Sequence, residues 1–242
     1  MNEFEMTPQS AFSPTATATA ERVTGFLRKV YGWMFVGLGI STAVAFGIVG
    51  SPGAVQTIVR TPVLYWGLWI ATFGLAWFLQ ARVAKLAPAT ATALFVVFSA
   101  LVGAWLSPVL LIYTGGSVAT TFLVAAGMFG ALALYGTTTK RSLAGWGQFL
   151  FMGFIGVFLA LLVSMFWKTA AGSAGFQFAI TIVGVIVFTG LAAYDAQQLK
   201  LMAVSVPEER HAAYSVVGAL SLYITFINLF LMLLRLLGGR RN

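Results

Sequence analysis

Ala213-Tyr-Ser-Val-Val-Gly-Ala-Leu-Ser-Leu-Tyr-Ile-Thr-Phe-Ile-Asn-Leu-Phe-Leu-Met-Leu-Leu-Arg-Leu-Leu237 is the stretch that decides the fold. It holds no acid and a single base, Arg235, near its end. Crossing about 30 Å of hydrocarbon takes roughly 20 apolar residues in a helix, so this segment predicts a transmembrane helix. Yet it is not uniformly apolar. Gly218, Ser221, Thr225, Asn228, Met232 and Arg235 recur at steps of three or four, which puts them on one stripe. A helix bathed in lipid would not keep such a stripe, so this helix is expected to be wrapped by others, with the stripe facing the bundle interior. Asn228 can donate and accept across helices, either as interhelical glue or as part of a pathway.

Working back from it, similar apolar runs stand near 30–50, 63–81, 88–112, 117–136, 147–166 and 175–198. The dividers are polar or helix-breaking: Ser51-Pro52-Gly53, Arg82 to Ala87, Thr114-Gly115-Gly116, Thr137 to Arg141, Lys168 to Gly172 and Ser205 to His211. Ser107-Pro108 predicts a kink or stop inside the third run. Backbone in lipid must satisfy its own hydrogen bonds, and the runs are continuous instead of alternating as in a β-barrel. The expected fold is all-α, a polytopic membrane protein of seven spans. Residues 1–21, with the low-complexity stretch Thr15-Ala-Thr-Ala-Thr-Ala, read as a disordered N-terminal tail, and residues 22–242 as one seven-helix transmembrane domain. No cleavable signal peptide is expected, because the first thirty residues contain no apolar core.

Composition agrees. The chain is 60% hydrophobic and 8% charged, against about 25% charged in ordinary soluble domains. The acids are Glu3, Glu5, Glu21, Asp195, Glu208 and Glu209, so the net charge of +8 comes mostly from short basic flanks. Such flanks suit the headgroups of a lipid bilayer. A nucleic-acid partner is not expected, since no basic run is interleaved with aromatics. Cysteine is absent and His211, placed in a loop, is the only histidine, which excludes disulfides, thiol catalysis and a histidine metal cluster.

Orientation follows the bias of Lys and Arg. Arg22, Arg28, Lys29, Arg82, Lys85, Lys140, Arg141, Lys200 and Arg210 fall on one side, and Arg60, Lys168, Arg240 and Arg241 on the other. The N-terminus is therefore expected in the cytoplasm and the C-terminus outside, with the two terminal arginines opposing the rule. Ser99, Gly103 and Ser107, and Gly153 with Gly156, have the small-residue spacing that lets helices approach closely.

Asp195 is the one acid within or at the edge of a predicted span. An ionisable group there is costly and usually faces a partner or a wet cavity, although an interfacial Asp held by water at a helix end has the same sequence signature. Arg82 ends the second span on the same predicted side, so topology allows an Arg82–Asp195 pair. In a hairpin centred near Pro207, Asp195 falls opposite Gly218 to Ser221, with Thr225 about a turn deeper.

Phe188-Thr-Gly-Leu-Ala-Ala-Tyr-Asp-Ala-Gln-Gln-Leu-Lys200 resembles the Bax inhibitor-1 (TMBIM) family, most closely its bacterial YccA/YetJ-like branch. Leu111-Ile-Tyr-Thr-Gly-Gly-Ser117, Phe129-Gly-Ala-Leu-Ala-Leu-Tyr-Gly-Thr-Thr-Thr-Lys-Arg141 and Gly218-Ala-Leu-Ser-Leu-Tyr-Ile-Thr-Phe-Ile-Asn-Leu-Phe230 resemble further landmarks of that family, in the expected order. The resemblance covers about residue 22 to the end. It implies a bacterial inner-membrane protein with six helices around a central seventh and a pH-sensitive calcium leak through that core. It further implies a proton-sharing pair of aspartates on the last two helices, with an arginine on the second helix latching to the pair. Asp195 matches the sixth-helix aspartate, and Arg82 is the best match to the latch. The usual Leu-Tyr-Leu-Asp-Phe-Ile-Asn is here Leu222-Tyr-Ile-Thr225-Phe-Ile-Asn228, and Thr225 cannot ionise. Lys140-Arg141 is followed by Ser142, where an Asp is frequent.

With one carboxyl, the coupled titration of a pair is lost. A calcium site wants six to eight oxygens, so Asp195 with Thr225, Asn228 and Ser221 forms at most a weak Ca2+ site. No other cofactor is expected. The sequence thus leads to a leak channel for Ca2+ or protons with weak or weakly pH-gated conduction, gated by Asp195, Thr225, Asn228, Ser221 and Arg82. The alternative is a non-conducting adaptor that binds another membrane protein, as some bacterial relatives are linked to a membrane protease. An enzyme is not expected. Aspartyl intramembrane proteolysis needs two aspartates, and a Ser–His dyad needs a histidine within the membrane. No inverted repeat or pair of broken helices suggests a secondary transporter.

Overall fold

Proline punctuates the first half of the chain. Helices α1 (Pro14–Val49), α2 (Pro52–Arg60), α3 (Pro62–Arg82) and α4 (Pro88–Leu106) each open on one. At the first helical position its missing N–H costs nothing and its fixed φ is already helical. Pro108 does the opposite. It follows the end of α4, and a single turn, α5 (Val109–Ile112), completes the run, which is the predicted stop in the third span. Thr114 and Ser173 open α6 (Gly115–Thr138) and α8 (Ala174–Ser205). Their hydroxyls accept from the N–H groups of Ser117 and Phe176, each at 3.3 Å, and so satisfy donors left over at a helix start. α7 (Ala144–Phe166) lies between them, and α9 (His211–Leu237) follows a 3-10 turn at Glu208–Arg210.

The computed structural model describes residues 14–166 and 173–241. Most of the predicted tail and Lys168 therefore lie outside the described residues. The part of the tail from Pro14 onward is helical and continuous with α1, so the boundary placed at residue 21 falls inside a helix. α2 replaces the plain loop expected after Ser51-Pro52-Gly53, with Val55 and Ile58 as its buried face.

Among the described residues, seven helical segments are long and apolar enough to cross a membrane: 18–49, 62–85, 88–112, 115–138, 144–164, 174–205 and 208–237. The first begins well before the predicted residue 30. The outward side chains are apolar, with Val63 82%, Trp77 76% and Leu123 71% exposed. Water would penalise such a surface and lipid does not. The chain is an all-α integral membrane protein.

The helix with the polar stripe is at the centre. α9 packs against α1, α4, α6 and α8 and touches α3, while α7 packs on α8. Tyr223 of α9 is fully buried, edge-on to Phe95 and Phe98 of α4. Its hydroxyl lies 2.6 Å from that of Ser41, and the Ser41 hydroxyl also reaches the carbonyl oxygens of Ser99 and Gly37. One serine thus ties α1, α4 and α9 together. Small residues make the close approaches: a Cβ on Gly103 would overlap the Ser41 carbonyl, and one on Gly136 the Ala193 carbonyl.

Two further ties fix the ends. Gln197 donates to the Arg141 carbonyl at 2.9 Å and accepts from the Leu143 N–H at 2.7 Å, which clamps the α6–α7 loop onto α8. Beyond α9 the chain pairs with the α5–α6 connection. Thr114 N–H donates to the Gly239 carbonyl (3.1 Å), Arg241 N–H to the Ile112 carbonyl (2.9 Å), and Tyr113 and Arg240 face each other as an antiparallel bridge.

Candidate functional site

The polar stripe of α9 divides in two. Gly218, Thr225 and Met232 are buried against neighbouring helices, while Ser221 and Asn228 are half-buried and Arg235 is exposed. All of them except Thr225 border one of two cavities. A cavity of about 250 Å3 is lined by Gln80, Val83, Asp195, Gln198, Tyr214 and Ser221 among others. A larger one, about 950 Å3, lies farther along α9 toward Arg235 and takes in Thr72, Ala76, Gln177, Thr181, Ile224 and Asn228. The two share no lining residue. On α3 the lining passes from Ala76 to Gln80, and on α9 from Tyr223 to Ser221, so a helical turn or less separates them.

Asp195 sits at that division. Thr225 donates to its Oδ2 at 2.6 Å, and Ser221 lines the small cavity beside the carboxyl. Thr225 itself is buried and lines neither cavity. A buried hydroxyl facing a carboxyl at a constriction can hold two helices in register, and it can release them when the carboxyl changes its charge or its partner. Asp195 lies about 20 residues into α8, close to the depth at which hydrocarbon gives way to headgroups, so the small cavity is on the side of the α8–α9 turn.

The remaining predicted residues divide. Ser221 and Thr225 join Asp195, as the hairpin arithmetic requires. Asn228 does not; its side-chain amide donates to the Ile224 carbonyl at 2.8 Å and borders the larger cavity. Arg82 is exposed and lies outside the small cavity, where its neighbours Gln80 and Val83 take part. The expected Arg82–Asp195 pair is therefore not formed; a positive charge at a helix end fixes depth but not direction. His211, expected in a loop, opens α9 and is 5% exposed, edge-on to Phe26. Its Nε2 lies 3.1 Å from the Val206 carbonyl, to which Arg22 also donates. Among the described residues no three His, Asp or Glu side chains gather as a metal site, so any ion meets a single carboxyl.

Sequence reasoning missed Gln80, Tyr214 and the terminal Arg240. Gln80 carried a signal, being a lone amide at the end of an apolar run. Arg240 carried none, because its place depends on the pairing of residues 239–241 with 112–114.

The family model described as "Inhibitor of apoptosis-promoting Bax1" matches residues 23–242. Inner membrane protein YbhL of Escherichia coli (strain K12) is 46% identical over 219 residues, covering 89% of this chain and 92% of that protein. An uncharacterized protein of Borreliella burgdorferi is 40% identical over 219 residues, covering 90% and 93%. An uncharacterized membrane protein of Streptococcus pyogenes serotype M1 is 32% identical over 215 residues, covering 88% and 92%.

Proposed function

This chain belongs to the Bax inhibitor-1 family, and on that premise we propose that it is a weak cation leak of the bacterial inner membrane, closed at Asp195 and Thr225. The observation that supports the reading most is the Thr225–Asp195 hydrogen bond at the narrow division between two cavities along α9. In this reading the permeant species is Ca2+ or a proton. Asp195 is the only carboxyl on the route, and Ser221 and Thr225 supply neutral oxygens beside it. The larger cavity carries Arg235 and Arg240 and no acid among its lining residues. A vestibule of that sign lowers the local concentration of cations, so conduction is weak. No step of bond-breaking chemistry is assigned, and the chain is read as a non-enzyme.

Dye-loaded vesicles carrying the purified chain provide the test, with calcium entry followed from mildly acidic to mildly alkaline pH. The expected result is a small flux that Asp195→Asn abolishes or renders insensitive to pH. Flux no greater than through empty vesicles at every pH would end the leak reading. It would favour the second one, a non-conducting adaptor for another membrane protein, which the missing second carboxyl and the cationic vestibule also fit. Co-purification of a partner with the full chain, set against the flux assay, separates the two.

A further inference from the structure

The larger cavity has the anatomy of a binding site for an amphiphile. Its volume of about 950 Å3 is at the upper end of the range usual for small-molecule sites, roughly 300–1,000 Å3. One end is cationic. Arg235 and Arg240 both line it, close enough to feel each other's charge, with Tyr65 and Tyr113 beside Arg235. No acid among the lining residues offsets the two guanidiniums. Like charges held together in this way are relieved by an anion that both can contact, and guanidiniums form their strongest hydrogen bonds with phosphate and carboxylate oxygens. Arg240 is also fixed in place, because the bridge to Tyr113 and the hydrogen bonds of Gly239 and Arg241 dock the chain end there.

One wall of the cavity is aromatic: Trp66, Trp69, Phe73, Phe154 and Phe158. These residues lie on α3 and α7, and α3 packs chiefly on α4 while α7 packs on α8. The seam between α3 and α7 is bridged by rings, with Trp69 stacked on Phe158 at 5.7 Å and Phe73 tilted against the same ring. A seam closed by side chains in place of helix packing opens at low cost, and it opens onto lipid. The cavity also holds the indole N–H of Trp105, buried without a hydrogen-bond acceptor among the described residues. An ester carbonyl below a phosphate would supply one.

We propose that this cavity binds an anionic phospholipid of the adjacent leaflet, its phosphate held by Arg235 and Arg240 and an acyl chain passing out between α3 and α7. The proposal stands whether or not the chain conducts.

The test titrates the full chain, purified in mild detergent, with phosphatidylglycerol and with phosphatidylcholine of the same acyl chains, and reads bound lipid by native mass spectrometry. Phosphatidylglycerol is expected to bind about tenfold more tightly, because phosphatidylcholine brings the same phosphate together with a choline cation that two arginines repel. Arg235→Gln with Arg240→Gln should abolish the preference, and Arg235→Lys with Arg240→Lys should retain most of it. Lys140→Gln with Arg141→Gln, at the opposite end of the bundle, should leave it unchanged. Arg240→Gln alone, at an exposed position, should lower the ratio severalfold even if the double variant does not fold. Equal binding of the two lipids, or a preference that survives loss of both arginines, overturns the proposal. So does displacement of phosphatidylglycerol by millimolar inorganic phosphate, which would mark a site for free anions.

Discussion

Thr225 gives Asp195 a neutral partner where a second carboxyl would share its proton. Thr225→Asp would place two carboxyls in contact, and such pairs titrate as a unit. The variant is expected to show a larger calcium flux with a steeper pH dependence than the unaltered chain, measured in dye-loaded vesicles; an unchanged profile would mean that Thr225 is not at the gate. Ser41 and Tyr223 provide a second test. Ser41→Ala strands the fully buried Tyr223 hydroxyl and should cost about 1–3 kcal/mol. Tyr223→Phe should cost less, since the Ser41 hydroxyl keeps the Ser99 and Gly37 carbonyls. Thermal unfolding in detergent orders the two. Asp195 was legible in the sequence because a lone acid in apolar surroundings stands out. Its joining with Ser221 and Thr225 was legible from the symmetry of the α8–α9 hairpin. Ser41 was not, because a serine inside a span looks the same whether it faces lipid, its own backbone or a tyrosine on another helix.

Helix seams were less legible than the helices themselves. Hydropathy places all seven spans, since hydrocarbon thickness demands a fixed length of apolar residues. It misses α2, too short to span, and the early start of α1, whose Ala/Thr stretch has no apolar signature. Spacing named Gly103 correctly, because the α1–α4 contact runs through it. It also named Gly156, which has open space where a Cβ would go, and passed over Gly136, whose Cβ would meet the backbone of α8. A glycine's use depends on what lies across from it, and one chain's spacing does not reveal that. Gly136→Ala is therefore expected to lower stability by at least about 1–3 kcal/mol, and Gly156→Ala to be nearly neutral. Equal melting temperatures for the two variants would contradict this account of the α6–α8 seam.

At the scale of the whole molecule, we propose from the Lys and Arg bias and the odd number of spans that the N-terminus is inside and the C-terminus outside. The terminal arginines that oppose the bias have another use: Arg240 is docked at the larger cavity by the pairing of residues 239–241 with 112–114. Because the chain has no cysteine, single replacements report topology directly. In intact cells an impermeant thiol reagent should label Ser173→Cys and spare Ser142→Cys until the membrane is broken; the reverse pattern would invert the assigned orientation. The central position of α9 also bears on biosynthesis. Of the seven spans, the one that the others lean on is the last to leave the ribosome. Until it arrives, Ser41 lacks Tyr223 and Asp195 lacks Thr225, although the α1–α4 and α6–α8 seams at Gly103 and Gly136 need no part of it. Chains arrested before His211 should accordingly be cut by protease at many more places than chains that reach Leu237. This topology defers the packing of the central helix against α1, α4, α6 and α8 to the end of translation.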